Sequence, residues 1–415
     1  MRPARARASP RFMCARGWES RSRPMLPGTR KSRLTERASV HLDMARGVAA
    51  LAVLVGHVRG LFFVEYHDLS HHSPVVSAFY AATALGHQAV VVFFVLSGFF
   101  IASSIADSFE QGKWSWAAYL INRITRLSLV LIPSLILCWI LDRIGMAMAA
   151  TAPLYHEAVA NMFAQSVASL ETIRNFAGNL FYLQGILVEP FGSNAPLWSL
   201  SYEFWYYIIF PLAVCALVKR YRPSMRLAYL VLAILATWFV GYTIALYFLI
   251  WLLGGAIAIS RAVKWSPVRF SGAMTAMTIP FVVVLGLSVA HPLNSPFLMD
   301  AIVALAFGLW IYAVVEAPDK SMPAFYAKPA RLFAGFSYTL YLTHFPIVFL
   351  LRSRIIGSRI WNLTLLHFIY ALLITAVATV VAYLLALGTE TKTAGARRKV
   401  MSLFPSTRGR APAKP

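Results

Sequence analysis

Charge is scarce in this sequence, and acidic charge most of all: 16 Asp and Glu face 38 Lys and Arg in 415 residues, and charged residues make up only 13%. Soluble domains are about 25% charged and about 45–50% apolar. Here the apolar share is 59% and the mean hydropathy +0.64, which excludes a water-soluble globular domain. Cysteine is scarce too. Cys14, Cys138 and Cys215 show no CxxC or other metal-ligand spacing, and two of them lie inside apolar runs. That excludes a disulfide framework and a metal centre, and leaves the cysteines as inert packing residues. Internal repeats, which mark many secondary transporters, are missing as well.

What is present is a series of apolar blocks of roughly 18–25 residues, the length that crosses ~30 Å of hydrocarbon at 1.5 Å per residue. The predicted fold is all-α, a polytopic membrane protein with about ten transmembrane helices. The expected spans are 46–64, 85–106, 127–148, 197–218, 226–240, 242–260, 272–290, 297–316, 331–351 and 363–387. The stretch 226–260 is split at Gly241 because about 35 residues exceed one crossing. A long gap, 149–196, contains a second apolar run, FAGNLFYLQGILVEP, too short to span and expected to lie at the outer interface or fold back into the bundle.

The net charge of +22 would suit a nucleic-acid partner, but its distribution does not. Of the 38 basic residues, 32 fall at the termini and in alternate gaps and 6 on the other side. This places both termini in the cytoplasm and makes the lipid bilayer the partner, with no nucleic acid. Residues 1–40 read as a basic, disordered cytoplasmic extension and 391–415 as a basic cytoplasmic tail. An organellar transit peptide, or a later start at Met13, Met25 or Met44, would give the first segment the same composition.

Ionisable groups inside spans are the informative positions, because each costs about 2.5–3.5 kcal/mol to place at the bilayer centre. In the first span, Asp43, Arg46, Val53 and His57 are spaced by 3, 7 and 4 and share one helical face. His57 sits about 16 Å beyond Arg46 along the axis. A neutral imidazole there can take a proton from a hydroxyl, as O-acylation requires, or can simply hydrogen-bond across helices. Arg123 and Arg126, one turn apart, suit a phosphorylated ligand or a plain cytoplasmic anchor. Glu203 lies among aromatics in the fourth span, Tyr341 and His344 share a stripe with Ser337 that could meet His57, and Ser97 with Gly98 favours close helix approach over nucleophilic chemistry.

The run LDMARGVAALAVLVGH resembles the first-helix signature of the membrane acyltransferase-3 family, the polysaccharide and peptidoglycan O-acyltransferases. In that signature ten residues separate a basic residue from a histidine, here Arg46 and His57. The resemblance continues in order through FFVLSGFFIA, NRITRL, PLWSLSYEFWYYIIFP and FSYTLYLTHFPI, covering about 41–390 as one membrane acyltransferase domain. Met44 replaces a usual glycine, and THFP the frequent WHFP. The resemblance implies O-acyl transfer from acyl-CoA, acetyl-CoA first among them, to a glycan or lipid-linked sugar in a bacterial inner membrane, with no permanently bound cofactor. It implies catalytic roles for His57 and Glu203 and acyl-CoA contacts for Arg46, Arg123 and Arg126, with Asp43, Tyr341 and His344 as further candidates. It also leads one to expect that this chain lacks the extracytoplasmic hydrolase-like domain of some members. Buried histidines would equally serve a proton-relaying transporter, and a non-catalytic component of a polysaccharide export system is a further reading.

Overall fold

The computed structural model describes residues 34–148, 151–157, 165–262, 272–290, 293–318, 320–357 and 359–403. Expectations for 1–33, Cys14 and 404–415 fall outside them. The chain runs through α1 (Glu36–Phe62), α2 (Pro74–Thr83), α3 (Gly86–Glu110), α4 (Trp116–Ala147), α5 (Ala152–His156), α6 (Val167–Leu170), α7 (Ile173–Leu180) and α8 (Trp198–Leu217). It continues through α9 (Pro223–Ala262), α10 (Ala273–Val289), α11 (Pro296–Glu316), α12 (Ala324–Ala334), α13 (Ser337–Ile355), α14 (Leu365–Gly388) and α15 (Thr393–Leu403). Two isolated bridges, Phe63 with Trp361 and Gln184 with Val188, are the sole β-type pairings among the described residues.

Helix starts follow capping chemistry. The hydroxyls of Thr35, Ser73, Ser115, Ser295 and Thr364 each accept a backbone N–H from the first turn of the helix that follows, and Pro74 and Pro296 sit where a missing N–H costs nothing. α1 therefore begins at Glu36, inside the segment expected to be disordered.

Among the described residues seven helices are long and apolar enough to cross a membrane, or eight if α12 and α13, bent by 59°, form one span. The ten expected segments fall largely on helices, but 331–351 is broken at 335–336, α10, at 17 residues, is shorter than a span, and 223–260 is counted once. Gly241 breaks that last element with φ 82° and ψ 171°. Before the break, Arg226 Nε donates to the Ala216 carbonyl and Phe239 packs on Trp205, so this arm runs antiparallel to α8. After it, Ile244 O accepts from Tyr206 Oη and Trp251 packs on Phe210, so the second arm runs back alongside α8. α9 is thus two arms folded back at Gly241, where a left-handed glycine makes the reversal affordable.

The segment before α8 folds inward. Tyr182, buried at φ 59°, shares a hydrogen bond of 2.8 Å with Ser128 of α4, its carbonyl accepts from Trp205 Nε1, and Gln184 donates to Leu197 O. Ile132, Ile136, Trp139, Ile140 and Ile144 of α4, and Leu372, Leu373, Val380 and Leu384 of α14, are exposed, as suits surfaces facing hydrocarbon. Buried apolar residues form two main clusters, one among α3, α8, α9 and α11 and one among α1, α13 and α14.

Candidate active site

α1, α3, α4, α8 and α13 surround a cavity. Arg46, Arg123, Arg126, Ser97, Glu203, Tyr207, Ser337 and Tyr341 line it, with Phe93, Phe94 and Phe100 as its apolar wall. Arg46 holds Asp43 at 2.8 Å and its guanidinium lies over the Phe100 ring. Arg123 donates to Ser104 and lies over Tyr119 and Tyr207. Arg126 is exposed and lines the cavity. Among the described residues neither Arg123 nor Arg126 has a carboxylate within 4 Å. Arg46 Nε and Arg123 Nε are buried without a hydrogen-bond partner. A cavity with three guanidinium groups and unspent donors attracts an anion with several oxygens.

Glu203 sits among these arginines. Tyr207 Oη and Ser97 Oγ donate to its Oε1, and Trp251 Nε1 donates to Ser97 Oγ at 3.1 Å. Ser97 is thereby a hydrogen-bonding strut, where its sequence context pointed only to close helix packing. Gly98 gives the close approach: a Cβ there would lie 2.0 Å from the Trp251 carbonyl oxygen.

His57 is not on the cavity wall. Its Nδ1 is 2.9 Å from His344 Nε2, the rings stacked with centroids 5.1 Å apart, and Phe345 closes one side edge-on. His344 is fully buried, and its Nδ1 lies 3.0 Å from the Leu340 carbonyl. A carbonyl only accepts, so His344 Nδ1 bears the hydrogen and its Nε2 the lone pair. His57 Nδ1 must then donate, which leaves His57 Nε2 with the lone pair and an acceptor's role.

Tyr341 connects the two halves. Its ring lines the cavity, lies 6.1 Å from the His344 ring, and its Oη shares a 2.6 Å hydrogen bond with Ser199 Oγ. The residues predicted from sequence therefore divide. Arg46, Arg123, Arg126, Glu203 and Tyr341 share the cavity, Asp43 pairs with Arg46 beside it, and His57 joins His344 behind Tyr341. Glu203 lines the cavity, whereas His57 does not.

Sequence reasoning missed Tyr207, although it lies four residues beyond Glu203 on the same face of α8. It also missed Glu390, in the turn after α14. Glu390 Oε2 accepts from both Thr339 N and Thr339 Oγ1 at 2.9 Å and couples electrostatically to Arg126 and Arg46. No local signal marks that residue. Cys138 and Cys215 are buried and free, and Cys138 donates to Asp142.

An arginine-lined cavity inside an apolar helical bundle, one aromatic ring from a histidine pair whose inner member is fully buried, is the arrangement of a membrane-embedded group-transfer enzyme. The family model of the acyltransferase domain, acyltransferase 3, matches residues 40–387, and the chain belongs to this family. Similar curated proteins include the O-acetyltransferase OatA of Staphylococcus aureus strains NCTC 8325 / PS 47, COL and MRSA252. Each is 25% identical over 327 residues, covering 72% of this chain and 51% of the relative. The chain thus spans about half the length of these relatives. No solved structure matches it.

Proposed function

We propose that the protein is an integral membrane O-acyltransferase that moves an acetyl or other short acyl group from acyl-CoA to a hydroxyl of a cell-surface glycan, in a bacterial inner membrane. The observation that carries this reading is the position of the histidine pair beside the cavity. Phosphates of the donor would bind Arg46, Arg123 and Arg126, which places the thioester toward Tyr341 and the pair beyond it. His57 Nε2, fixed as the lone-pair nitrogen by His344, takes the proton of the acceptor hydroxyl. The oxygen attacks the thioester carbonyl, the C–S bond breaks, and the proton passes to the departing thiolate, giving the ester and free coenzyme A. Holding both reactants in one site supplies much of the acceleration. Glu203 would act on the donor side, positioning Tyr207 and Ser97.

The excess of Lys and Arg at alternate helix ends supports a cytoplasmic position for both termini and for the mouth beside Arg123 and Arg126. The experiment is coenzyme A release from acetyl-CoA in membranes containing the native acceptor. Wild-type protein is expected to release thiol and acetylate glycan, whereas His57→Ala, inserted at the same level, is expected to do neither. Full transfer by that variant would sink the mechanism. A proton-relaying transporter predicts no acceptor-dependent thiol release from either protein.

A further inference from the structure

The cavity wall includes a ring pair and leaves out the histidines. Phe93 of α3 and Tyr341 of α13 both line its wall, with ring centroids 5.9 Å apart at 70°, while neither His57 nor His344 lines it. Behind Tyr341 the next ring is His344, at 6.1 Å, and behind that His57. Tyr341 is fixed in place: it is buried, and its Oη meets both Ser199 Oγ and the Pro196 carbonyl. Phe93 has no polar anchor and packs against both main apolar clusters of the bundle, so it lies on the boundary between them.

Resting on the acyl-transfer reading, we propose that Phe93 and Tyr341 form a neck between donor cavity and histidine pair, and that this neck sets the length of the acyl group. Two rings in edge-to-face contact at 5.9 Å leave no channel for an extended chain. A thioester must displace Phe93 to bring its carbonyl to His57, and the displacement grows with each methylene following the carbonyl. A two-carbon acyl group needs the least, so the neck favours acetyl over butyryl and longer chains. Because Tyr341 is anchored at its hydroxyl, the adjustable wall is Phe93.

The test compares coenzyme A release from acetyl-, propionyl-, butyryl- and hexanoyl-CoA in membranes containing the full chain and its native acceptor. Wild-type protein is expected to prefer acetyl-CoA. Phe93→Ala is expected to raise the butyryl-to-acetyl ratio of kcat/KM about tenfold or more, the scale on which apolar pockets discriminate methylenes. Phe93→Leu, which keeps a bulky apolar side chain in the core, is expected to shift it in the same direction by less. An unchanged ratio in both variants overturns the neck while leaving the acyl-transfer reading intact. So does loss of all transfer by both variants at normal membrane levels, since the ring would then serve the reaction itself. Wild-type protein that turns over none of the thioesters overturns the acyl-transfer reading, and the neck with it.

Discussion

At His344 a single hydrogen atom decides which nitrogen of His57 is reactive. The Leu340 carbonyl holds that hydrogen on Nδ1, and the 2.9 Å contact passes the choice to His57. A side chain that accepts from His57 Nδ1 should preserve the choice, and one that cannot should lose it. His344→Gln, whose amide oxygen can accept, is therefore expected to retain a measurable part of the transfer rate. His344→Leu is expected to fall about 100-fold or more in kcat with little change in KM for acetyl-CoA, the scale of lost base assistance. Equal loss in the two variants would make His344 a packing residue. How much of this was legible follows from separation along the chain. The spacing of Arg46 and His57 on one helix was readable, and Tyr341 with His344 formed a visible stripe. That the stripe meets His57 across 287 residues depends on how α1 packs on α13. Glu390 reaches Thr339 across 51 residues for the same reason, so no periodicity could mark it.

Among the elements, the closest meeting is between α3 and the second arm of α9. Gly98 leaves 2.0 Å between a notional Cβ and the Trp251 carbonyl oxygen, and Gly254 leaves 1.9 Å to the Val95 carbonyl oxygen. Each obstacle is backbone, which cannot turn aside, and small residues at such crossings let membrane helices approach. Gly98→Ala is expected to destabilise the detergent-solubilised protein by about 1–3 kcal/mol, read as a lower Tm. An unaltered Tm would show that the crossing relaxes freely. Seen from sequence, Ser97 and Gly98 already pointed to close approach, but not to its partner. The apolar run 226–260 was too long for one crossing, and its Gly was readable as the place of a break. What sequence could not supply was the direction of the second arm, which α8 settles through Phe239 on one side and Trp251 on the other.

For the whole molecule, the distribution of basic residues makes a topological claim that chemistry can check. Leu187 is exposed in the segment before α8, and Arg220 is exposed between α8 and α9. In a background of Cys14→Ser, with Cys138 and Cys215 buried, Leu187→Cys is expected to react with a membrane-impermeant maleimide on intact cells. Arg220→Cys is expected to react only after permeabilisation. The reverse pattern would invert the orientation and put the arginine mouth outside. The all-α bundle was legible from composition alone, since only helices satisfy the backbone within lipid over such runs. The number of crossings was not, because α10 is too short to settle by length and α12 with α13 bends by 59°.

The carboxylate of Glu390 has a practical meaning for anyone who shortens or recombines this chain. The region matched to the family closes at residue 387, yet the group that caps the start of α13 and couples to two cavity arginines lies three positions later. A fragment cut at that boundary would keep every helix around the cavity while losing the acidic clasp at its base. Chimeras that exchange C-terminal segments between relatives should therefore be joined beyond Lys392, where the turn holding the clasp ends.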